Sequence, residues 1–272
     1  MLAVDKDKCK RDGICAAECP MGIIRLKDRE GYPQMIPGGE QACIECGHCV
    51  AVCPQGALTH RGVPVEACPP IVRELTVTEE QAVQFLRSRR SVRVYEQRPV
   101  ERDKISRLIE IARYAPSASN AQPVHWMVFT DRAKLREFSR MTIEWMRRVI
   151  DKGPPPNLAG YLPLVVAAWD AGYDSVLRNA PVLILASAPA EATNGMVDLT
   201  LALAYLELAA PTLGLGTCWA GLLQGALLWW KPLKEAVGLP DGHSHHYPMM
   251  LGYPKHRYYR LPERKGPTVV WR

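Results

Sequence analysis

Several features are scarce in this 272-residue chain, and each scarcity excludes something. No apolar run approaches the ~20 residues that a membrane span needs. The opening Met1-Leu-Ala-Val-Asp-Lys has no apolar signal core, so the expectation is a cytoplasmic protein with no membrane partner. No Gly-x-Gly-x-x-Gly occurs, which argues against a dedicated dinucleotide-binding domain. Apart from two cysteine runs there are no internal repeats. Cysteine itself is scarce beyond residue 53, where only Cys68 and Cys218 follow, while seven of the nine thiols precede that point. An odd number of thiols, clustered in this way, speaks for metal binding in a reducing compartment and against a disulfide framework.

What is present supports a globular protein with a full core, since 47% of the residues are hydrophobic. The length suits two domains. Charge divides unevenly. Residues 1–60 hold 7 Lys+Arg against 8 Asp+Glu, and residues 61–272 hold 27 against 20. The basic charges are scattered, which argues against nucleic acid; a bound phosphorylated cofactor explains them with fewer assumptions.

The thiols carry the strongest signal. Cys43-Ile-Glu-Cys46-Gly-His-Cys49-Val-Ala-Val-Cys53-Pro54 has the C-x2-C-x2-C-x3-C-P spacing of an iron–sulfur run, in which a tight loop brings successive sulfurs to different irons. An altered copy lies upstream, with Cys9, Cys15 and Cys19-Pro20 in place and Asp12 in the second slot. Structural zinc is the competing reading. Zinc sites usually place two close pairs a longer loop apart, and four thiols in one run fit that poorly. Asp12 offers a harder ligand than thiolate and holds a soft iron less firmly. The first site is therefore read as a [4Fe–4S] cluster with one exchangeable iron, as a [3Fe–4S] cluster, or as empty.

Along the chain, Ile23–Lys27 and Tyr32–Ile36 flank a polar turn at residues 28–31 and suggest a hairpin. Residues 61–77, with Pro64, Pro69 and Pro70, read as a linker. Thr78-Glu-Glu-Gln81 is a capping-box pattern that opens a helix running to about Arg89. Ile105, Leu108, Ile109 and Ala112 keep helical spacing until Pro116. Val124–Thr130 is expected to be a buried strand, a third helix starts near Asp131, and Val182–Ser187, Thr217–Gly221 and Tyr247–Leu251 are further strands. Residues 198–213 are helical and apolar nearly all round. Such a helix must be covered on every side, inside a large core or between two subunits, and Pro211 should bend its end.

Two resemblances follow. Residues 1–60 resemble bacterial two-cluster ferredoxins, in which the fourth Cys of each run ligates the other cluster. That crossing assigns Cys43, Cys46, Cys49 and Cys19 to an intact [4Fe–4S] site, and Cys9, Asp12, Cys15 and Cys53 to the second. Residues 79–272 resemble the nitroreductase family of FMN proteins through Arg89-Arg-Ser-Val-Arg-Val-Tyr95, Ala115-Pro-Ser-Ala-Ser-Asn-Ala-Gln-Pro123, Leu213-Gly-Leu-Gly-Thr-Cys-Trp-Ala-Gly221, and Leu251-Gly-Tyr-Pro254 with Arg260-Leu-Pro-Glu-Arg264. The expected organisation is a ferredoxin-like domain over 1–60, a linker over 61–77 and an α+β flavin domain over 78–272. The resemblance implies a central, mostly antiparallel sheet with surrounding helices, and a homodimer with FMN at the subunit interface.

The same resemblance implies the flavin contacts. Arg89 and Ser91 contact the phosphate, Arg264 arrives from the C-terminal segment, and Arg93 lies nearer the pyrimidine edge of the ring; independently of the resemblance, Arg89, Arg90, Ser91 and Arg93 supply the cationic and hydroxyl donors a phosphate needs, just beyond a helix end. Pro116, Ser117, Ser119, Asn120 and Gln122 form a rigid loop of small polar residues that approaches the ring of the partner subunit's flavin. Ala220 and Gly221 lie by its redox-active edge. The expected function is an FMN-dependent oxidoreductase. Its clusters relay electrons to FMN, which reduces a nitroaromatic, quinone, activated alkene or halogenated aromatic. The donor is reduced ferredoxin or NAD(P)H. The alternative is a non-catalytic electron carrier or redox sensor. No catalytic side chain is assigned. Cys218 is read as a small buried hydrophobe, Cys68 as a non-ligand, His243, His245 and His246 as no metal site, and Trp229-Trp230 as core or interface.

Overall fold

The computed structural model describes residues 2–27, 31–154 and 159–272. The expected turn at 28–31 therefore lies, but for Gly31, outside the described residues. The chain divides into two compact units: Met1–Val77 with Ala118–Ala121, and Thr78–Ser117 with Gln122–Arg272.

The first unit has little regular structure. Strand β1 (Leu2–Val4) pairs antiparallel with β4 (Leu58–His60), and β2 (Ile24–Leu26) pairs with β3 (Pro33–Met35), so the expected hairpin is present. Short helices cover Ile14–Glu18, Gly39–Ala42 and His48–Ala51, and residues 61–77 add two 3-10 turns. The buried cluster of Cys15, Ala57 and Leu58, with Leu2, Val4, Cys9, Cys49, Val52 and Cys53 against it, is largely sulfur-rich. A core this small supplies little stability, and small units often add disulfides or metals to it. Among the described residues no disulfide joins its cysteines.

The second unit is built on a four-stranded sheet of order β5–β6–β8–β7, with every adjacent pair antiparallel. The strands are β5 (His125–Phe129), β6 (Val182–Ala188), β7 (Gly216–Trp219) and β8 (His245–Gly252). Strand β6 is buried at all seven positions, because helices cover both faces of the sheet. Leu183 and Leu185 face a core shared with Phe138, Met146, Leu223 and Leu227. Val182, Ile184 and Ala186 face the other core, with Leu108, Leu199, Leu203 and Leu206. A strand apolar on both faces is what such a sandwich requires. Each fully buried leucine contributes about 1.5–3 kcal/mol. β5 departs from expectation. It sits at the sheet edge, with His125 and Val128 exposed and Phe129 buried, since an edge strand is covered less completely than one inside the sheet.

Local signals place the helices. Thr78 accepts from the Gln81 amide and Gln81 caps the Thr78 amide, which starts the helix Glu79–Ser88. Asp131 caps Arg132–Asp151. The apolar segment forms the helix Gly195–Ala209, which tightens into a 3-10 turn, Ala210–Leu213, at Pro211. By length and composition Gly195–Leu213 could cross a membrane. That corrects the expectation of no span-length apolar segment, which the acids Asp198 and Glu207 had masked in the sequence. In this fold Leu199, Leu203 and Leu206 pack on the sheet, while Met196, Val197 and Tyr205 remain exposed.

The three histidines after Gly242 go to separate surroundings. His243 Nδ1 meets Ser187 Oγ at 2.9 Å, the His245 ring fills the space beside Gly195, and buried His246 meets Gln224 Oε1 at 3.1 Å. Burial pushes the His246 imidazole down to about 4, with Lys234 and His245 adding to the shift. The unfolded value is near 6.5, so the unfolded chain binds the extra proton between about pH 6.5 and 4. Stability from this group is complete above pH 6.5 and is lost as pH falls, by at most about 3 kcal/mol. Denaturant midpoints measured from pH 7 to 4.5 should fall less steeply for His246→Gln than for the wild type; superimposable acid limbs would contradict the assignment.

Candidate functional site

The first unit gathers its thiols into two groups. Cys19, Cys43, Cys46 and Cys49 line one cavity together with Ile23, Met35 and His60. Cys9, Asp12, Cys15 and Cys53 line another, with Arg11 and Leu58. Two loops with matching backbones make these cages. Arg11 and Gly13 have φ of 58° and 77°, and Glu45 and Gly47 have φ of 50° and 73°. Each left-handed pair is followed by a short helix, Ile14–Glu18 or His48–Ala51. Asp12 thus holds the place in its loop that Cys46 holds in the other, and its Oδ1 accepts from the Ile14 amide at 3.2 Å.

The donor set suits a multi-iron group. Among the described residues no three His, Cys, Asp or Glu side chains converge on a point where one metal ion could sit. Thiols spread around a cavity instead match a cluster whose ligands bind different irons. Burial, with Cys46 nearby, pushes the Cys49 thiol up to about 11, and burial also raises Cys15. Both ionise readily only beside a cation, so metal uptake here would release protons. The Cys53 sulfur also accepts from the Ala57 amide at 3.3 Å. Cys68 belongs to neither cage; its thiol donates to the Pro64 carbonyl at 3.4 Å.

In the second unit the segment 89–95 runs extended beside the sheet. The Val92 amide donates to the Thr217 carbonyl at 2.8 Å, and Lys255 donates to the Val94 carbonyl at 3.0 Å. Buried Tyr95 closes the turn by donating to the Val92 carbonyl. This brings Arg89 and Arg90 into a cavity of about 490 Å³ lined also by Glu207, Gly214–Thr217, Lys255, His256, Arg257 and Tyr258. Four cationic side chains against one carboxylate make it an anion site. Glu207 is buried on the central helix. It accepts from Arg89 Nη1 at 3.1 Å and from Trp219 Nε1 at 3.0 Å, which fixes the guanidinium at the cavity wall.

The remaining candidates lie elsewhere. Ser91 is half-buried near Cys218, whose thiol burial pushes up while Arg93 and Arg178 pull it down. Arg93 is exposed and bonds the Ser91 carbonyl. Pro116, Ser117 and Gln122 line a second cavity of about 110 Å³ with Trp126, Asp198 and Ala202. Ser117 Oγ accepts from the Gln122 amide at 2.9 Å. Ser119 and Asn120 belong to the first unit, where Asn120 Nδ2 donates to the Ile44 and Glu45 carbonyls, each at 3.1 Å. Ser119, Asn120 and Gln122 all have positive φ, 48–55°; three such non-glycine residues in a row of four mark a strained loop, as functional loops often are. Ala220 caps the helix Gly221–Trp229, and a Cβ on Gly221 would meet only the Tyr247 hydroxyl, at 3.6 Å. Packing within the chain therefore does not demand glycine there. Arg264 is exposed and outside the basic cavity. Sequence reasoning missed Glu207, Lys255, Arg257 and His60. The basic run Lys255-His-Arg257 just after Gly252-Tyr-Pro254 was the available signal for two of them.

An antiparallel sheet with helices on both faces, a basic cavity at its edge, and a unit bearing two thiol cages describe a protein fitted to hold an anionic ligand and metal groups in one chain. Residues 86–253 match the nitroreductase family and residues 7–58 match a 4Fe-4S dicluster domain. The chain belongs to the nitroreductase family, and it carries an N-terminal 4Fe-4S ferredoxin domain. It is 28% identical over 195 residues to a protein of Archaeoglobus fulgidus provisionally named NADH dehydrogenase/NAD(P)H nitroreductase, covering 71% of this chain and 98% of that one. Its N-terminal part is 33% identical over 66 residues to the polyferredoxin protein MvhB of Methanothermus fervidus, 24% of this chain and 15% of that protein. A solved nitroreductase with bound FMN from Bacteroides fragilis shares the fold, with a TM-score of 0.58, 20% identity and coverage of 72% of this chain and 100% of that one.

The Glu207 arrangement is testable by stability. Glu207→Leu leaves both the Arg89 guanidinium and the Trp219 N–H without their acceptor and should destabilise the second unit by about 2–4 kcal/mol. Glu207→Gln keeps one acceptor and should cost less. Equal losses for the two variants in denaturant titrations would contradict this reading.

Proposed function

We propose that the protein is an FMN-dependent oxidoreductase in which clusters held by the first unit deliver electrons to a flavin held by the second, for reduction of a small organic acceptor. One observation carries the reading: a single chain combines two thiol cages with a basic cavity in a nitroreductase fold. Bound clusters would supply one-electron transfer, and bound FMN would collect electrons in pairs and pass them on as a hydride equivalent.

The chain's residues have the following roles. Cys19, Cys43, Cys46 and Cys49 hold a [4Fe–4S] cluster, while Cys9, Cys15, Cys53 and the weaker ligand Asp12 hold a second of four or three irons. Arg89 and Arg90, with Lys255 and Arg257, bind the FMN phosphate, and Glu207 orients Arg89 for it. Ser91 and Arg264 assist by resemblance, and Arg93 places positive charge toward the pyrimidine edge. Pro116, Ser117, Ser119, Asn120 and Gln122 position the ring, and the strained backbone at Ser119, Asn120 and Gln122 supports a task beyond connection. Ala220 and exposed Gly221 leave room for a close approach at the ring's redox edge. The acceptor class comprises nitroaromatics, quinones, activated alkenes and halogenated aromatics. Clustered thiols of odd number suit a reducing, cytoplasmic setting.

A homodimer completes the reading. Val83, Phe85 and Leu86 on Glu79–Ser88, Met196, Val197 and Tyr205 on the central helix, and Trp229 are all exposed in the single chain. Apolar surface of this extent calls for a partner, and a second copy supplies it.

Stopped-flow reduction under anaerobic conditions tests the electron route. Reduced ferredoxin should bleach the flavin absorbance faster than NADPH does, and Cys46→Ser should slow the ferredoxin-driven phase. Rapid bleaching by NADPH with none by reduced ferredoxin would refute the relay.

A further inference from the structure

His60 lies at the end of β4 and is 6% exposed, inside the cavity lined by Cys19, Cys43, Cys46 and Cys49. Its ring is oriented at both nitrogens. The Gly62 backbone amide donates to Nδ1 at 3.1 Å, and Nε2 lies 3.8 Å from the Cys43 sulfur, within reach for a sulfur acceptor. The turn carrying the ring is closed in both directions, by His60 N–H to the Val63 carbonyl and by Val63 N–H to the His60 carbonyl. A backbone N–H can only donate, so Nδ1 must accept, and the ring proton is left on Nε2. That proton points at Cys43.

We infer that His60 is a positioning residue that donates an N–H···S hydrogen bond from Nε2 to the Cys43 thiolate and thereby raises the reduction potential of the cluster bound by Cys19, Cys43, Cys46 and Cys49. The inference rests on the assignment of Cys43 to that cluster. The physical cause is charge. Adding one electron makes the ligand sulfurs more negative, and a donor fixed on one of them stabilises the reduced state more than the oxidised state. The bond would be sheltered from water by His60's own burial, which strengthens it relative to an exposed contact. Among the described residues no histidine lines the other cage, formed by Cys9, Asp12, Cys15 and Cys53. The two clusters would therefore differ in potential for a reason beyond Asp12.

The test uses the full chain, purified anaerobically with its iron and sulfide quantified, and EPR-monitored redox titration. His60→Phe keeps an aromatic ring and removes the donor. It should lower the electron affinity of this cluster about tenfold, equivalent to about 59 mV for a one-electron couple, and leave the other cluster's titration in place. His60→Gln restores an N–H donor at a similar reach and should recover most of the shift. In wild-type protein labelled with ¹⁵N in the histidine imidazole, pulsed EPR of the reduced cluster should show a weak ¹⁵N coupling, and His60→Phe should remove it. An unchanged potential in His60→Phe, or no ¹⁵N coupling in the wild type, would overturn the inference while leaving the cluster assignment standing. Absence of any four-iron signal from the wild type would overturn the assignment, and the inference with it.

Discussion

Gly216 and Gly252 leave just enough room for the segment 89–95, and the basic cavity depends on that clearance. A Cβ on Gly216 would come within 2.4 Å of Val92, and one on Gly252 within 2.8 Å of the Tyr95 ring and 2.7 Å of Pro181. With glycine at both sites, the extended segment lies against the ends of β7 and β8, bonded at Val92, Val94 and Glu96 to backbone on either side. Arg89 and Arg90 then enter the same cavity as Lys255 and Arg257, although some 165 residues separate them in sequence. Glu207 adds the buried carboxylate that keeps Arg89 oriented and limits repulsion among the cations. A side chain at either glycine would displace the arginines as well as the strand ends.

The first unit depends on a different constraint. Its apolar cluster is small and shared with thiols, so its fold and its chemistry are coupled. Protonated thiols packed together are a poor core, whereas the same sulfurs bound to iron become fixed, charged-compensated ligands. The matched left-handed pairs at Arg11/Gly13 and Glu45/Gly47 show that both cages rest on one local design. Within that design the two sites diverge through single residues. Asp12 stands where the other loop has Cys46, and His60 lines only one of the two cavities among the described residues. Under the proposed function, two centres of related geometry would in this way hold electrons with different affinity, as a relay requires.

Much of this was legible in the sequence, and the reasons are local. The capping box at Thr78 and Gln81, the helix start near Asp131 and the apolar strand expected over Val182–Ser187 are all short-range patterns; the first two form where expected, and the strand runs one residue further, to Ala188. The thiol spacing pointed to two metal groups because ligand spacing is itself a local property. What sequence reasoning missed is tertiary. Glu207 reads as an acid interrupting an apolar helix until Arg89 and Trp219 arrive from distant segments. His60 follows the last cluster cysteine by seven residues with no motif around it, and only the turn to Val63 aims its ring at Cys43. Val124–Thr130 looked like an interior strand because its composition is apolar; its place at the sheet edge depends on strand order, which no local pattern encodes.

The central claim is that one chain houses two iron–sulfur groups and a flavin. Chemical analysis of anaerobically isolated protein tests it most directly, with iron, acid-labile sulfide and FMN quantified per chain and EPR recorded before and after reduction. The account predicts one FMN with about seven to eight irons, about eight acid-labile sulfides, and two distinguishable cluster signals. Zinc in place of iron and sulfide, or protein that binds no flavin, would contradict it.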